Sequence, residues 1–405
     1  MSLGQEKALE ECYLMPTFAR KQVEFVSGVG MKVFDDSGKE YLDFIAGIGV
    51  VSLGHCHPAL TQALQEQAAR LMHVGNYYYI EKRGEVARSI SDLLHEASVQ
   101  DGAPEVWQSF FTNSGAEANE CAIKLARLAS KKQGRDARYI VTLEKSFHGR
   151  TLATLAATAQ PAKQAEFKPL PDGFLHTPIN DCEALKRLFA EKGNTICAVM
   201  VECVQGESGV HPCSQEFLAT AQSLAHQHGA LLICDEIQTG VYRCGTYPFA
   251  FQHHGISPDI VTIAKGVGGG FPTGVCAAKT SVAQAFEPGD HGTTYGGSSL
   301  AIAAICATLH THAQLDTAKK VEETGAYLQQ CLDALPHVVQ ARGLGLMRGC
   351  DLDKNFSAPE IVDKALEEGL IINATGPQTL RFLPPLICTK AHIDSMIERL
   401  EKLLS

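Results

Sequence analysis

The sequence predicts an α/β fold, with a large domain on a mainly parallel mixed sheet covered by helices and a smaller α+β domain. Three observations carry this. Between about residue 107 and residue 265, short apolar runs alternate with segments of helical period, the pattern of strands joined by covering helices. Two of those runs, Ala230-Leu231-Leu232-Ile233-Cys234 and Pro258-Asp259-Ile260-Val261-Thr262-Ile263-Ala264, are almost continuously apolar, as strands buried on both faces are. Beyond Gly297 two long helical patterns give way to shorter strands and helices, a second and smaller unit.

In chain order, Met31-Lys32-Val33-Phe34-Asp35 alternates, Asp36-Ser37-Gly38 turns, and Glu40-Tyr41-Leu42-Asp43-Phe44 alternates again, a hairpin signal. Pro58 opens a helix with apolar residues at Leu60, Leu64, Ala68 and Leu71. Residues 85–97 form another amphipathic segment. Strands are predicted over 106–112, 139–143 and 196–202, and helices over 115–130 and 214–228, before the two buried runs. Helical patterns follow over 300–309 and 316–334. Strands over 338–343, 346–352, 370–374 and 379–383, and helices over 358–368 and 391–404, complete the smaller unit. The expected division is 1–57 packing with the small domain, 58–308 as the large cofactor-binding domain, and 309–405 as the small domain.

Composition narrows the function classes. The chain has 405 residues, 45% of them apolar and 20% charged, ordinary values for a globular protein. Its formal net charge is −10 with no Lys/Arg-rich run, so nothing attracts nucleic acid. Apolar stretches such as Phe44 to Leu53 fall short of the roughly 18 residues a membrane span needs. The first seven residues lack the basic-then-apolar pattern of a signal peptide, and a soluble cytoplasmic protein is expected. The 14 cysteines include no C-x-x-C pair and read as structural thiols. His55-Cys56-His57-Pro58 reads as a turn before a helix, so no metal is expected.

The chemistry gathers at strand ends. The first buried run closes on Asp235-Glu236-Ile237-Gln238-Thr239-Gly240, and the second ends on Lys265. In open α/β sheets ligands bind outside the carboxyl ends of strands. A lysine amine there can condense with pyridoxal 5′-phosphate, and an aspartate can pair with the protonated pyridine nitrogen. Taken alone, Asp and Lys at these positions read somewhat better as solvated strand ends. Ile237 lies two residues beyond Asp235 on the same face and can pack on the ring, while Gln238 offers a donor to the ring oxygen. Ser114 is a good N-cap, and Gly115 and Ala116 leave N–H groups uncovered at a helix start, an anion site. Phe147 can stack on the opposite ring face, and Arg150 presents a fork suited to a carboxylate. His148 reads as a structural donor. Arg381 sits in an apolar strand and needs a partner, for which Glu207 is the candidate. The glycine-rich stretches Gly266 to Gly270 and Gly343-Leu344-Gly345 match no dinucleotide or P-loop spacing.

Together these motifs resemble the class III pyridoxal-phosphate aminotransferases, which share the type I fold of pyridoxal-phosphate enzymes. The resemblance runs from Tyr41-Leu42-Asp43-Phe44 and Gly54-His55-Cys56-His57-Pro58 through Ser114 to Asn119, Phe147 to Thr151, Gln205-Gly206-Glu207, Asp235 to Gly240 and Ala264-Lys265-Gly266. It continues in His291 to Gly297 and ends at Arg381-Phe382-Leu383-Pro384-Pro385. It implies that Lys265 carries the cofactor and Asp235 holds its pyridine nitrogen. Gly115, Ala116, Phe147, Glu236, Ile237 and Gln238 would complete the cofactor site, with Thr294 reaching the phosphate of a neighbouring subunit. Arg150, Thr293, Glu207 and Arg381 would bind substrate, Glu207 masking Arg381 while the amine donor is bound. A homodimer with shared sites follows from the resemblance. So does transfer of the terminal amine of N2-acetyl-L-ornithine to 2-oxoglutarate, with 4-aminobutyrate and succinylornithine as alternative donors and an inactive cofactor-binding relative as the reading from another class. Cys203, Ile80 and Ser298 depart from the family pattern. The tyrosine run Tyr77-Tyr78-Tyr79 is placed at the substrate entrance, and Ile48 stands where ornithine aminotransferases carry a tyrosine.

Overall fold

The computed structural model describes residues 3–95 and 105–405. Its main sheet has seven strands in the order Trp107–Thr112, Gly274–Lys279, Ile260–Ile263, Leu231–Asp235, Ile196–Val201, Tyr139–Leu143 and Phe174–Thr177. Every neighbouring pair is parallel except those made by Gly274–Lys279, which runs antiparallel to both its neighbours. Six strands therefore end on the same edge. The sheet is mixed and mainly parallel, as predicted.

The two buried runs behave as their composition requires. Leu232, Ile233 and Cys234, and Ile260, Val261 and Ile263, are all buried, and Asp235 pairs with Thr262 in parallel register. Helix Gly115–Lys132 covers one face through Ala118, Ala122, Leu125, Ala126 and Ala129, small residues at helical spacing that let its backbone approach the sheet. Two strands of this sheet escaped the sequence reading. Phe174–Thr177 is only four residues long, and Gly274–Lys279 is built largely from small residues of weak strand preference. Helix Cys182–Lys192 was missed as well.

The N-terminal hairpin forms as predicted, Lys32–Asp35 against Glu40–Asp43, with Phe25–Val29 added outside it. Asp35 closes the turn by accepting from Ser37 N (3.0 Å), Lys39 N (2.9 Å) and the Tyr41 hydroxyl (2.9 Å). Glu40–Asp43 also pairs with Leu370–Ile371, so the two ends of the chain share a sheet. The strand predicted over 370–374 is divided. Leu370–Ile371 belongs to that sheet, whereas Asn373–Ala374 joins a second four-stranded one with Thr379–Phe382, Met347–Leu352 and Val338–Leu344. The amphipathic segment read at 85–97 is helix Arg83–His95, and residues 96 and 97 lie outside the described residues. No described helix is long and apolar enough to cross a membrane. His55 bonds Asp43 at 2.8 Å, and among the described residues no group of His, Cys, Asp or Glu is placed to hold a metal ion.

Candidate active site

Because the parallel strands finish together, the residues just beyond them converge. A cavity of about 420 Å³ opens at that edge, lined among others by Gly115, Phe147, Glu202, Asp235, Gln238 and Lys265. Ala116, Arg150, Glu207 and Ile237 also line it. Ten positions separated by up to 150 residues thus meet through strand topology alone.

Asp235 is held rigidly. Its Oδ2 accepts from Asn119 Nδ2 at 2.8 Å and meets His148 Nδ1 at 2.7 Å, and its Oδ1 accepts from Ile237 N at 3.1 Å. Asn119 is fixed in turn by Thr262, whose hydroxyl donates to its Oδ1 at 2.7 Å, and by its own bond to His148 O at 2.7 Å. Burial opposes a charge on His148, but the Asp235 hydrogen bond and carboxylate outweigh it and raise the imidazole pKa. His148 is therefore the partner of Asp235, a contact the sequence reading did not give it. Neither Asn119 nor His148 carries a local signal for this, since both contacts cross long stretches of chain.

Lys265 adopts φ +48°, the left-handed region that costs a side-chain-bearing residue about 1–3 kcal/mol. The segment after it is tied down from outside the strand. Ser52 Oγ donates to Gly266 O at 2.9 Å and lies 3.0 Å from His312 Nε2, whose other nitrogen is 3.0 Å from Thr317 Oγ1. Burial pulls the Lys265 amine below its usual range, with Glu207 and Asp235 opposing. A larger neutral fraction suits a nucleophile and proton carrier.

At the opposite side, Ser114 caps helix Gly115–Lys132 by accepting from Glu117 N at 3.3 Å. The first N–H groups of a helix have no acceptor within it, and here the first two helical residues, Gly115 and Ala116, line the cavity. A β-carbon at Gly115 would lie 2.7 Å from Ile237 Cδ1, so glycine is what lets the helix start and Ile237 share this space.

Arg381 lies behind this wall. Its Nη1 donates to Glu207 Oε1 at 2.6 Å and Gly206 O at 3.0 Å, and its Nη2 to Asn373 Oδ1 at 2.8 Å. Gln238 Nε2 also donates to Glu207 at 3.1 Å, so this amide serves the ion pair as well as the cavity. A β-carbon at Gly206 would sit 1.7 Å from Gln238 Oε1, so a larger residue there would displace that amide. Burial would raise the Glu207 pKa, but the charge and hydrogen bond of Arg381 bring it down to about 2.

Several sequence expectations fall elsewhere. Glu236 is not at the cavity. Its buried carboxylate accepts from Ala250 N (3.0 Å), Phe251 N (2.8 Å) and the Thr239 hydroxyl, because strand alternation turns it away from the face that Asp235 and Ile237 share. Thr293 lies outside the lining, accepting from Asn113 Nδ2 at 3.3 Å; Thr294, expected to serve a neighbouring subunit, is exposed outside its own chain's cavity. Val50 lines the wall, and Ile48 is exposed outside it. Tyr77, Tyr78 and Tyr79 are exposed and line no part of it. The cavity adds Glu202, which accepts from Phe147 N at 3.0 Å and whose pKa burial raises to about 8.

The residue set fits pyridoxal 5′-phosphate. It supplies a buried acid for a cationic ring nitrogen, an amine for the aldehyde, apolar side chains for the ring and free helix N–H groups for the phosphate.

The family model for class-III aminotransferases matches residues 17–404. The chain is 44% identical to the acetylornithine aminotransferase of Methanocaldococcus jannaschii over 98% of its length and 97% of that protein. Among solved structures, N-acetylornithine aminotransferase from Stenotrophomonas maltophilia matches with a TM-score of 0.81 and 34% identity, covering 98% of this chain and 97% of that one. Ornithine aminotransferase from Toxoplasma gondii, whose active site carries PLP at partial occupancy, matches with a TM-score of 0.91 and 28% identity, covering 100% and 94%. With its strand-edge acid and amine in place, this chain belongs to the class-III aminotransferases.

Proposed function

We propose that the cavity holds pyridoxal 5′-phosphate and that the enzyme transfers the terminal amine of N2-acetyl-L-ornithine to 2-oxoglutarate, yielding N-acetyl-L-glutamate 5-semialdehyde and L-glutamate in arginine biosynthesis. One observation carries the reading. Asp235 and Lys265 end neighbouring parallel strands and line one cavity, with the Glu207–Arg381 pair at its wall. The near-full-length identity to an acetylornithine aminotransferase supports the choice of substrate.

Gly115 and Ala116 would hold the phosphate, Phe147 and Ile237 the ring, and Asp235 its nitrogen. The cofactor supplies a covalent handle for the substrate amine and a sink for electrons released when a C–H bond breaks. Asp235, tied to His148 and Asn119, keeps a negative charge in place without rearranging during turnover. Lys265, at the end of its strand, would carry the proton released from the carbon bearing the reacting amine. Arg150 holds the carboxylate at the far end of the donor. Glu207 covers Arg381 while that donor is bound, then yields it to the α-carboxylate of glutamate or 2-oxoglutarate. Thr294 of a second copy would complete the phosphate site, in a cytoplasmic homodimer.

Purified protein should absorb in the visible and turn over acetylornithine in preference to ornithine, succinylornithine and 4-aminobutyrate. A clear preference for 4-aminobutyrate overturns the assigned substrate, and a colourless protein that gains no colour with pyridoxal 5′-phosphate overturns the assigned cofactor.

A further inference from the structure

Phe147, one wall of the cavity, carries two cations. The Arg150 guanidinium lies 5.6 Å from its ring centroid and the Lys163 ammonium 5.2 Å. We propose that Lys163 is a second carboxylate-binding cation, and that it and Arg150 together select substrates with a carboxylate remote from the reacting amine. This rests on the proposed function above and assigns a residue to its substrate specificity.

Lys163 is held where it stands. It belongs to the short helix Pro161–Gln164, which Gln164 fastens by donating to Leu155 O at 3.0 Å and Thr158 O at 2.7 Å. Gln160 donates to Ser146 O at 2.9 Å, next to Phe147, and its Oε1 accepts from Lys163 Nζ at 2.5 Å. The ammonium is thus fixed to the segment that carries Phe147 and Arg150, beside the cavity rather than in its lining.

Both cations lack an acidic partner. Among the described residues no carboxylate lies within ion-pair distance of Arg150 or Lys163. The acids nearest this wall are engaged, Glu202 with Phe147 N and Glu207 with Arg381. Burial lowers the Lys163 pKa and the Arg150 charge lowers it further, with the Glu207 and Glu202 carboxylates opposing. Two like charges beside one ring, Lys163 half-buried and Arg150 exposed, favour a bound carboxylate, which relieves their mutual repulsion. Lysine adds a point charge to the planar fork of the arginine.

The test compares acetylornithine with its carboxamide in the wild-type holoenzyme and in Lys163→Met, Lys163→Gln and Lys163→Arg. The neutral variants should raise KM for acetylornithine about tenfold, the scale of one charge-assisted contact, with kcat within about twofold. Lys163→Arg should stay near wild type, and the carboxamide should show no difference among the four proteins. An unchanged KM in folded Lys163→Gln overturns the proposal, as does a loss equal for acid and amide. Should the wild type reject acetylornithine but accept 4-aminobutyrate, the substrate assignment fails, and the same comparison with 4-aminobutyrate and its amide still decides the role of Lys163.

Discussion

The ion pair between Arg381 and Glu207 is lopsided: the arginine side chain is 2% exposed and the glutamate 24%. Arg381 is also anchored to Gly206 O and Asn373, whereas beyond the arginine Glu207 accepts, among the described residues, only from the Gln238 amide. The glutamate is therefore the member that can swing away, leaving a fixed guanidinium for an incoming α-carboxylate.

Glu207→Gln should uncouple the two halves of the reaction. Arg381 loses its cover, so KM for glutamate falls or holds. With acetylornithine kcat/KM drops by roughly 10–100-fold, since a buried arginine then faces a donor with no carboxylate beside the reacting amine. Single-turnover absorbance changes with each substrate separately measure this, and equal losses in both halves would contradict it.

The same pair sets an acid limit on stability. The folded-state pKa of Glu207 is about 2, against an ordinary 4.5. Its contribution is therefore complete above pH 4.5 and fades as pH falls through that window toward 2. Wild type should exceed Glu207→Gln by ~2–3 kcal/mol near neutrality, with the gap closing below about pH 4.5. Melting temperatures of both proteins across that range give the comparison.

What was readable in the chain followed distance along it. Asp235, Ile237 and Lys265 were visible because strand-end chemistry depends on a few neighbouring residues, and Ser114 with Gly115 because a helix cap is local. Asn119 and His148 were invisible as partners of Asp235, since their contacts span 116 and 87 residues. Glu236 was misplaced because a motif names neighbours together, while a strand sends them to opposite faces. Gly274–Lys279 was missed because its pairing with Trp107–Thr112 and Ile260–Ile263 holds small residues that carry little local preference.

Glu236→Ala should damage the fold rather than the chemistry. It strips the acceptor from Ala250 N, Phe251 N and the Thr239 hydroxyl, leaving buried donors unpaired at a cost of ~2–4 kcal/mol. Denaturant titration should show that loss, while affinity for pyridoxal 5′-phosphate at low temperature stays near wild type. A large fall in cofactor affinity without loss of stability would return Glu236 to the site.

Asp235→Asn keeps the shape of the acid and removes its charge. The fall in kcat should reach ~10³-fold or more, because preorganised charge is the largest single contribution of such a site. His148 should also lose its raised pKa, which depends on the Asp235 carboxylate, and NMR titration of the imidazole follows that directly.

Thr294 offers the sharpest test of a shared site. It is exposed and outside the cavity of its own chain, while the neighbouring Thr293 is held by Asn113 and Gly296 N. If Thr294 completes the phosphate site of a second copy, Thr294→Ala should weaken pyridoxal 5′-phosphate binding about tenfold, the scale of one hydrogen bond to a charged group. Mixed dimers of Lys265→Ala with Thr294→Ala then decide which chain it serves. With sharing across subunits, one site gathers both mutations and the other is wholly wild type, so about half the activity returns at wild-type cofactor affinity. With Thr294 serving its own chain, the only site retaining Lys265 lacks the threonine, and the weakened affinity persists in every active molecule. Cofactor titration of the purified heterodimer separates the two.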